Sequence, residues 1–215
     1  MKPTFVIAAA AAAAALLAGC CQKCGKGDAC TAEACDSRNE VIETILTRRS
    51  IRAYSPEAVD RTQMQTIVEC GLNAPSGLNM QPWAVRVVDS EEFIGGMTAL
   101  YRERHPETDG DESFRNMFRN APTVVFIASP DDGSGVFDCG LLAENMMLAA
   151  WSMGIGSCCL GSAIGFIAST PETAPFIERL SLPEGYRPLI AIGFGYPDEQ
   201  PEARERDMSK AIFVD

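Results

Sequence analysis

The chain has 215 residues, 47% of them hydrophobic, which suffices to bury one sizeable core or at most two small ones. Its 18 basic side chains against 29 acidic ones leave a formal charge of −11, which argues against nucleic acid or an anionic membrane surface as partner. The single histidine, His105, argues against Ser-His-Asp, Cys-His and multi-His zinc chemistry, each of which needs imidazole at a fixed place. It lies in the charged run RERHPETDGDE and reads as a solvated loop residue.

The first element, MKPTFVIAAAAAAAALLAGC, has one early Lys and a weakly apolar run of eight alanines. It reads as a secretory signal over residues 1–19, too short and too weakly apolar for a good membrane span. Leu17-Ala18-Gly19-Cys20 resembles the bacterial lipobox, which implies a lipid on Cys20 and a place in the cell envelope, on its periplasmic or outer side. Membrane contact is then expected through that anchor only. Residues 20–36 follow, with Cys21, Cys24, Cys30 and Cys35 set among Gly, Lys, Asp and Ala, so no core can form there. This reads as a tether with disulfides or free thiols, with a metal or iron–sulfur site as the alternative.

A globular domain is expected over 37–215. SRNEVIETILTRR places Val41, Ile42, Ile45 and Leu46 on one helical stripe. A second helix follows Asp60 as N-cap, with Gln63 three residues on and Met64, Ile67, Val68 and Leu72 on one face. WAVRVVD predicts a strand, and Ser90 a cap for a helix through Leu100. Residues 101–120, charged and marked by Gly and Pro, predict a mobile excursion with one short helix. APTVVFIASP predicts a strand covered on both faces, and DCGLLAENMMLAAWSMG a buried helix ending at Gly154. GSCCLG predicts a short strand, TPETAPFIERL a capped helix and YRPLIAIGFGYP a further buried strand. Helices and strands alternate without a regular βαβ rhythm, so the fold class is α+β, with a sheet between helical layers.

Three stretches carry candidate chemistry. TRRSIRAY gathers Arg48, Arg49 and Arg52 around Ser50 at a helix exit. Cations belong near a helix C-terminus in any case, yet three guanidinium forks with a hydroxyl also suit a phosphate. NAPSGLNMQPW, Asn73 to Trp83, is rigid, polar and uncharged, a loop by its Pro75, Gly77 and Pro82. The tail GYPDEQPEARERD carries Arg204 and Arg206 and, taken alone, reads as solvated.

Taken in order, RRSIR, APSGLNMQPW, GIGSCCLGSA and IAIGFGYPDE with an Arg-bearing tail resemble the FMN-dependent nitroreductase family over nearly all of Glu40 to Asp215. The resemblance implies a three-layer α-β-α fold on a mixed, mostly antiparallel sheet, and a homodimer with an exchanged C-terminal arm for which KAIFVD has β character. It implies that Arg48, Arg49, Ser50 and Arg52, with Arg206 and Arg204, hold the FMN phosphate and part of the ring. Pro75, Ser76, Gly77, Asn79 and Gln81 would lie along the flavin in the partner subunit's site, and Cys159, Leu160, Gly161 and Ser162 beside it. The backbone N–H groups of Gly161 and Ser162 would face flavin N5 and O4 and stabilise the charge that reduction develops. Trp83 is read as a core anchor, and Cys158 and Cys159 as packing. The implied activity is electron transfer through FMN to a small acceptor such as a nitroaromatic or quinone, with NAD(P)H or a non-nicotinamide reductant as donor. The other readings are a flavin-binding lipoprotein without turnover and a Cys-rich metal or electron-relay lipoprotein.

Overall fold

The computed structural model describes residues 39–214. The expected signal, Cys20 and the Cys21–Cys35 segment lie outside the described residues. Among those described, no helix is long and apolar enough to cross a membrane.

The elements run α1 (Glu40–Thr47), α2 (Arg61–Leu72), β1 (Ala84–Val88), α3 (Glu91–Arg104), β2 (Thr123–Pro130), α4 (Val136–Ser152), β3 (Gly156–Cys159), α5 (Gly161–Ser169), α6 (Ala174–Arg179) and β4 (Tyr186–Gly195). One sheet has the order β1-β2-β4-β3, and its three pairings are all antiparallel. The expected mixed sheet is thus antiparallel throughout its strands. Among the described residues, parallel pairing is confined to an isolated bridge between Ser50 and Ser157.

β2 shows why the sheet is central. Seven of its eight residues are buried, as a continuous apolar run dictates when both faces are covered. On one face Val125, Ile127, Ile192 and Phe194 pack with Met64 and Ile67 of α2 and with Leu142 and Met146 of α4. On the other, Val124 and Phe126 meet Phe93 and Met97 of α3 and Ala163 and Phe166 of α5. The three layers follow from this division. Two close approaches fix the helices: a Cβ on Gly71 would stand 2.4 Å from Met146 Cγ, and one on Gly96 2.5 Å from the Phe176 ring.

The caps mostly follow the sequence. Asp60 accepts from the N–H groups of Thr62 (2.8 Å) and Gln63 (3.4 Å), and Ser90 Oγ from Phe93 N–H (3.3 Å). TPETAPFIERL is an exception: it starts as a short 3-10 turn at Pro171–Thr173, no side chain caps it, and the buried Thr170 Oγ1 has no hydrogen-bond partner. Leu72, expected on the inner face of α2, is exposed at the helix end, where the chain turns away from the core.

The 101–120 segment departs furthest from expectation. α3 runs through Tyr101 to Arg104, and Met117 and Phe118 are buried. Asn120 Oδ1 accepts from the N–H groups of Arg115 (2.7 Å) and Asn116 (3.0 Å), its Nδ2 donates to Ser113 O (2.7 Å), and Arg115 donates to Tyr54 O. Side-chain amides that close the backbone in this way give order that hydrophobic periodicity does not report.

Candidate functional site

The RRSIR segment leaves α1 and is held at both sides. Ser50 bridges to Ser157 of β3, and Ile51 N–H donates to Ser157 O at 3.0 Å. Ile51 and Tyr54 are buried, and a Cβ on Gly156 would come within 2.8 Å of Ile51. From the other side Glu199 accepts from the backbone N–H groups of Arg52 and Ala53, the latter at 3.2 Å, while Asp198 N–H donates to Ala53 O at 2.9 Å. Trp151 Nε1 donates to Thr47 Oγ1 at 3.0 Å, which ties the helix exit to α4.

The consequence is a recess of about 170 Å³ lined by Arg48, Arg49, Ser50, Arg52, Pro201, Glu202, Arg204 and Arg206. Two segments some 150 residues apart thus supply the guanidinium groups that the sequence reading grouped together. Among the described residues, no carboxylate lies within ion-pair distance of Arg49, Arg52, Arg204 or Arg206, in a chain with a charge of −11. Part of the donor set is used locally. Arg49 Nη1 donates to Leu46 O (2.9 Å) and Arg48 O (2.8 Å) at the end of α1, the helix-terminus role open to any cation there. Arg206 Nη1 donates to Arg204 O at 3.2 Å, and each guanidinium retains further N–H groups. Arg48 Nε is buried without a hydrogen-bond partner, since Glu144 Oε1, 3.3 Å away, forms an ion pair that lacks hydrogen-bond geometry. Unpaired cations that converge on a small polar recess suit an anion with several acceptor oxygens, such as a phosphate.

β3 ends beside this segment. Cys158 is buried and Cys159 points to the opposite face, where its thiol lies 3.7 Å from Met147 Sδ although the residue as a whole is exposed. Burial raises the pKa of both thiols, against the nearby charges of Arg52, Arg119 and Arg48 at Cys158 and of Arg48 at Cys159. Both are therefore protonated at neutral pH; Cys158 packs in the core as the sequence suggested, whereas Cys159 is exposed and meets Met147 through its thiol. Leu160 N–H is taken by Ala191 O at 2.8 Å, and α5 begins at Gly161. The N–H groups of Gly161 and Ser162, first in the helix and exposed, have no acceptor among the described residues. A Cβ on Gly161 would meet nothing within 4 Å, so no packing within the protomer requires glycine there.

The 73–83 loop is rigid by its own bonds. Ser76 Oγ accepts from Gln81 N–H (3.0 Å), Asn79 N–H donates to Ser76 O (3.0 Å), and Gly77 N–H to Asp138 Oδ2 (3.3 Å). Leu78, Asn79 and Gln81 all take left-handed backbone, with φ of 50°, 56° and 49°. Pro75, Gly77, Asn79 and Gln81 are exposed, and the amides of Asn79 and Gln81 have no partner among the described residues. The loop does not line the arginine recess. It packs on the first turn of α4 through Asp138, whereas Arg48 meets the same helix at Glu144 and Thr47 meets it at Trp151. Asp138 to Trp151 is about 20 Å along the helix at 1.5 Å per residue. Glu199, Glu202 and Glu144 were not singled out by sequence reasoning; Glu199 and Glu202 lie in the run that read as a solvated tail.

The model of the Nitroreductase family matches residues 45–196. An NADPH-flavin oxidoreductase of Vibrio harveyi is 34% identical over 175 residues, which are 78% of this chain and 70% of that protein. The crystal structure of a nitroreductase with bound FMN from Desulfitobacterium hafniense DCB-2 is similar with a TM-score of 0.73 and 28% identity, over 83% of this chain and 100% of that one. A nitroreductase with bound FMN from Bacteroides fragilis NCTC 9343 gives a TM-score of 0.69 at 28% identity, with the same coverage.

Proposed function

The chain belongs to the nitroreductase family, and on that premise we propose that it is an FMN-dependent oxidoreductase that passes electrons from a reductant to a small acceptor such as a nitroaromatic or quinone. The observation that carries the reading is the recess where the unpaired guanidinium groups of Arg49, Arg52, Arg204 and Arg206, from both ends of the domain, meet Arg48, which is ion-paired with Glu144 and whose buried Nε lacks a hydrogen bond. Those donors fit a phosphate monoester, and the open N–H groups of Gly161 and Ser162 fit the polar edge of a planar heterocycle. FMN, when bound, supplies the two-electron chemistry. Arg48, Arg49, Arg52, Arg204 and Arg206 neutralise the phosphate, and Ser50 gives it a hydroxyl. Gly161 and Ser162 present fixed dipoles where negative charge develops, so no side-chain acid is needed at that edge. Cys159 and Leu160 set the backbone from which these donors project.

The 75–81 loop completes the site from a second copy. Its contact with α4 at Asp138 lies about 9 Å along the helix from that of Arg48 at Glu144. None of its residues lines the recess, the side-chain amides of Asn79 and Gln81 have no partner, and a Cβ on Gly77 would meet nothing within 4 Å among the described residues. α1 buries none of its residues, and Val41, Ile45 and Leu46 are 65%, 51% and 52% exposed. The segment after Pro201 is exposed nearly throughout, with Phe213 at 101% and Val214 at 87%, and it forms no strand within the protomer. Apolar surface left open in this amount is expected to be covered, and a homodimer with exchanged C-terminal arms does so.

LAGC at Leu17–Cys20 supports a lipid anchor on Cys20 and a place in the bacterial envelope; substitution C20A is expected to move the protein from the membrane fraction to the soluble one. For a protein so placed the donor is either NAD(P)H or another reductant, since nicotinamides are scarce outside the cytosol. The function is tested by photoreduction of FMN-loaded protein followed by stopped-flow reoxidation with a nitroaromatic or a quinone. Rapid, saturable reoxidation is expected. Bound flavin that no such acceptor reoxidises faster than free FMN sinks the enzymatic reading and leaves a flavin-binding protein.

A further inference from the structure

One guanidinium at this end of the molecule is left over from the phosphate recess. Arg119 is exposed, has no ion-pair or hydrogen-bond partner for its side chain among the described residues, and does not line the recess. Its position is nevertheless fixed. Arg119 and Asn120 are consecutive non-glycine residues in left-handed backbone, with φ of 57° and 63°. The Asn120 amide closes the turn around Arg115 and Asn116, and Asn116 Nδ2 donates to Ala121 O at 3.1 Å.

The neighbours of this turn are the two segments that flank the flavin reading. A Cβ on Gly193 would lie 2.7 Å from Ala121 Cβ and 3.4 Å from both Phe118 O and Leu160 Cδ1, so the turn and the residue that precedes α5 both close on Gly193 of β4. Ala121 packs with Ile51 and Tyr54, and Arg115 donates to Tyr54 O, so the same turn adjoins the segment that carries Arg52. The charge of Arg119 is felt at Cys158, as are those of Arg52 and Arg48. Ahead of the turn lies a cluster of rings packed on the core. Phe114 stacks on Tyr101 at 5.9 Å with Arg102 over its ring at 5.0 Å. Tyr101 in turn stacks on His105 at 4.1 Å and meets the buried Phe166 of α5 at 5.2 Å.

We propose that Arg119 is a specificity-determining residue that receives the anionic group of a planar aromatic electron acceptor, a carboxylate in particular. A strained, doubly braced turn that adjoins the Arg52 segment and carries an exposed, unpaired guanidinium fits an acceptor with an acid on it. The overall charge of −11 repels anions, and a local cation is what lets one approach. This inference rests on the flavin reading above.

The test uses the FMN-loaded full chain and its R119Q and R119K variants. KM is measured for 4-nitrobenzoate and for neutral 4-nitrobenzamide, and the dissociation constants of benzoate and benzamide are read from the shift in flavin absorption. R119Q is expected to raise KM for 4-nitrobenzoate and the benzoate dissociation constant about tenfold or more, the worth of a charge-assisted hydrogen bond. It is expected to leave both amides within about twofold, with R119K intermediate. Equal effects on acid and amide, no effect on either, or an effect on KM for NADPH alone overturns the assignment. Protein that takes up no FMN overturns the flavin reading as well, so the two failures are told apart.

Discussion

At the scale of single residues, the RRSIR half of the arginine recess was legible because its charges stand out against an acidic chain, whereas Arg204 and Arg206 read as a solvated tail and were grouped with it only by the family resemblance. RRSIR needs three cations near one hydroxyl, and helix termini account for one of them, Arg49, which donates to the last carbonyls of α1. Glu199 was not legible. It sits in an acidic run that looks solvated, and only the tertiary pairing of Asp198 with Ala53 brings its carboxylate onto the N–H groups of Arg52 and Ala53. Ser76 has a structural role that the sequence did not show, since its hydroxyl accepts from Gln81 N–H and so stiffens the loop. Arg206 offers the cleaner test, because it is exposed and no fold contact depends on its side chain beyond nearby carbonyls of its own segment. R206Q is expected to weaken FMN binding about tenfold or more in a fluorescence titration, with the melting temperature of the flavin-free protein unchanged. An equal fall in both would place Arg206 in the fold and not in the site.

At the scale of elements, the strands and the long helices were readable from the apolar pattern, and β2 matches the expected burial, whereas α4, expected buried all round, buries one face through Cys139, Leu142, Ala143, Met146, Met147 and Ala150. The 101–120 segment was not, because its order comes from Asn116 and Asn120 amides bonded to backbone, a pattern without a hydrophobic period. Two predictions belong here. G156A would push a methyl group against Ile51, displacing the RRSIR segment; a loss of about 1–3 kcal/mol in denaturant unfolding is expected, together with weaker FMN binding. The Asp60 cap gives a pH dependence. Its carboxyl is held below the ordinary range by the N–H groups of Thr62 and Gln63, so the folded pKa lies below the unfolded one. Its contribution is therefore present at neutral pH and is lost as pH falls through the folded value. Wild type should melt above D60A at pH 7, with the gap narrowing as pH falls below the ordinary carboxylate range; a gap that is constant from neutral to acid pH contradicts the assignment.

At the scale of the whole molecule, the proposed site joins a recess and an amide loop that meet α4 at different residues, Glu144 and Asp138, while α1 and the C-terminal segment leave apolar side chains in water. I45D would place a charge on the α1 face without a change to the core, because Ile45 is 51% exposed. Sedimentation should show wild type as a dimer and I45D as a monomer that has lost FMN at the same time. The central claim, that paired protomers each hold one flavin by guanidinium groups from two distant segments, is tested most directly by equilibrating the flavin-free protein with FMN and measuring stoichiometry and oligomeric state together. The account predicts a yellow dimer that saturates at about one FMN per chain. A folded, dimeric protein that stays colourless in excess FMN would contradict it.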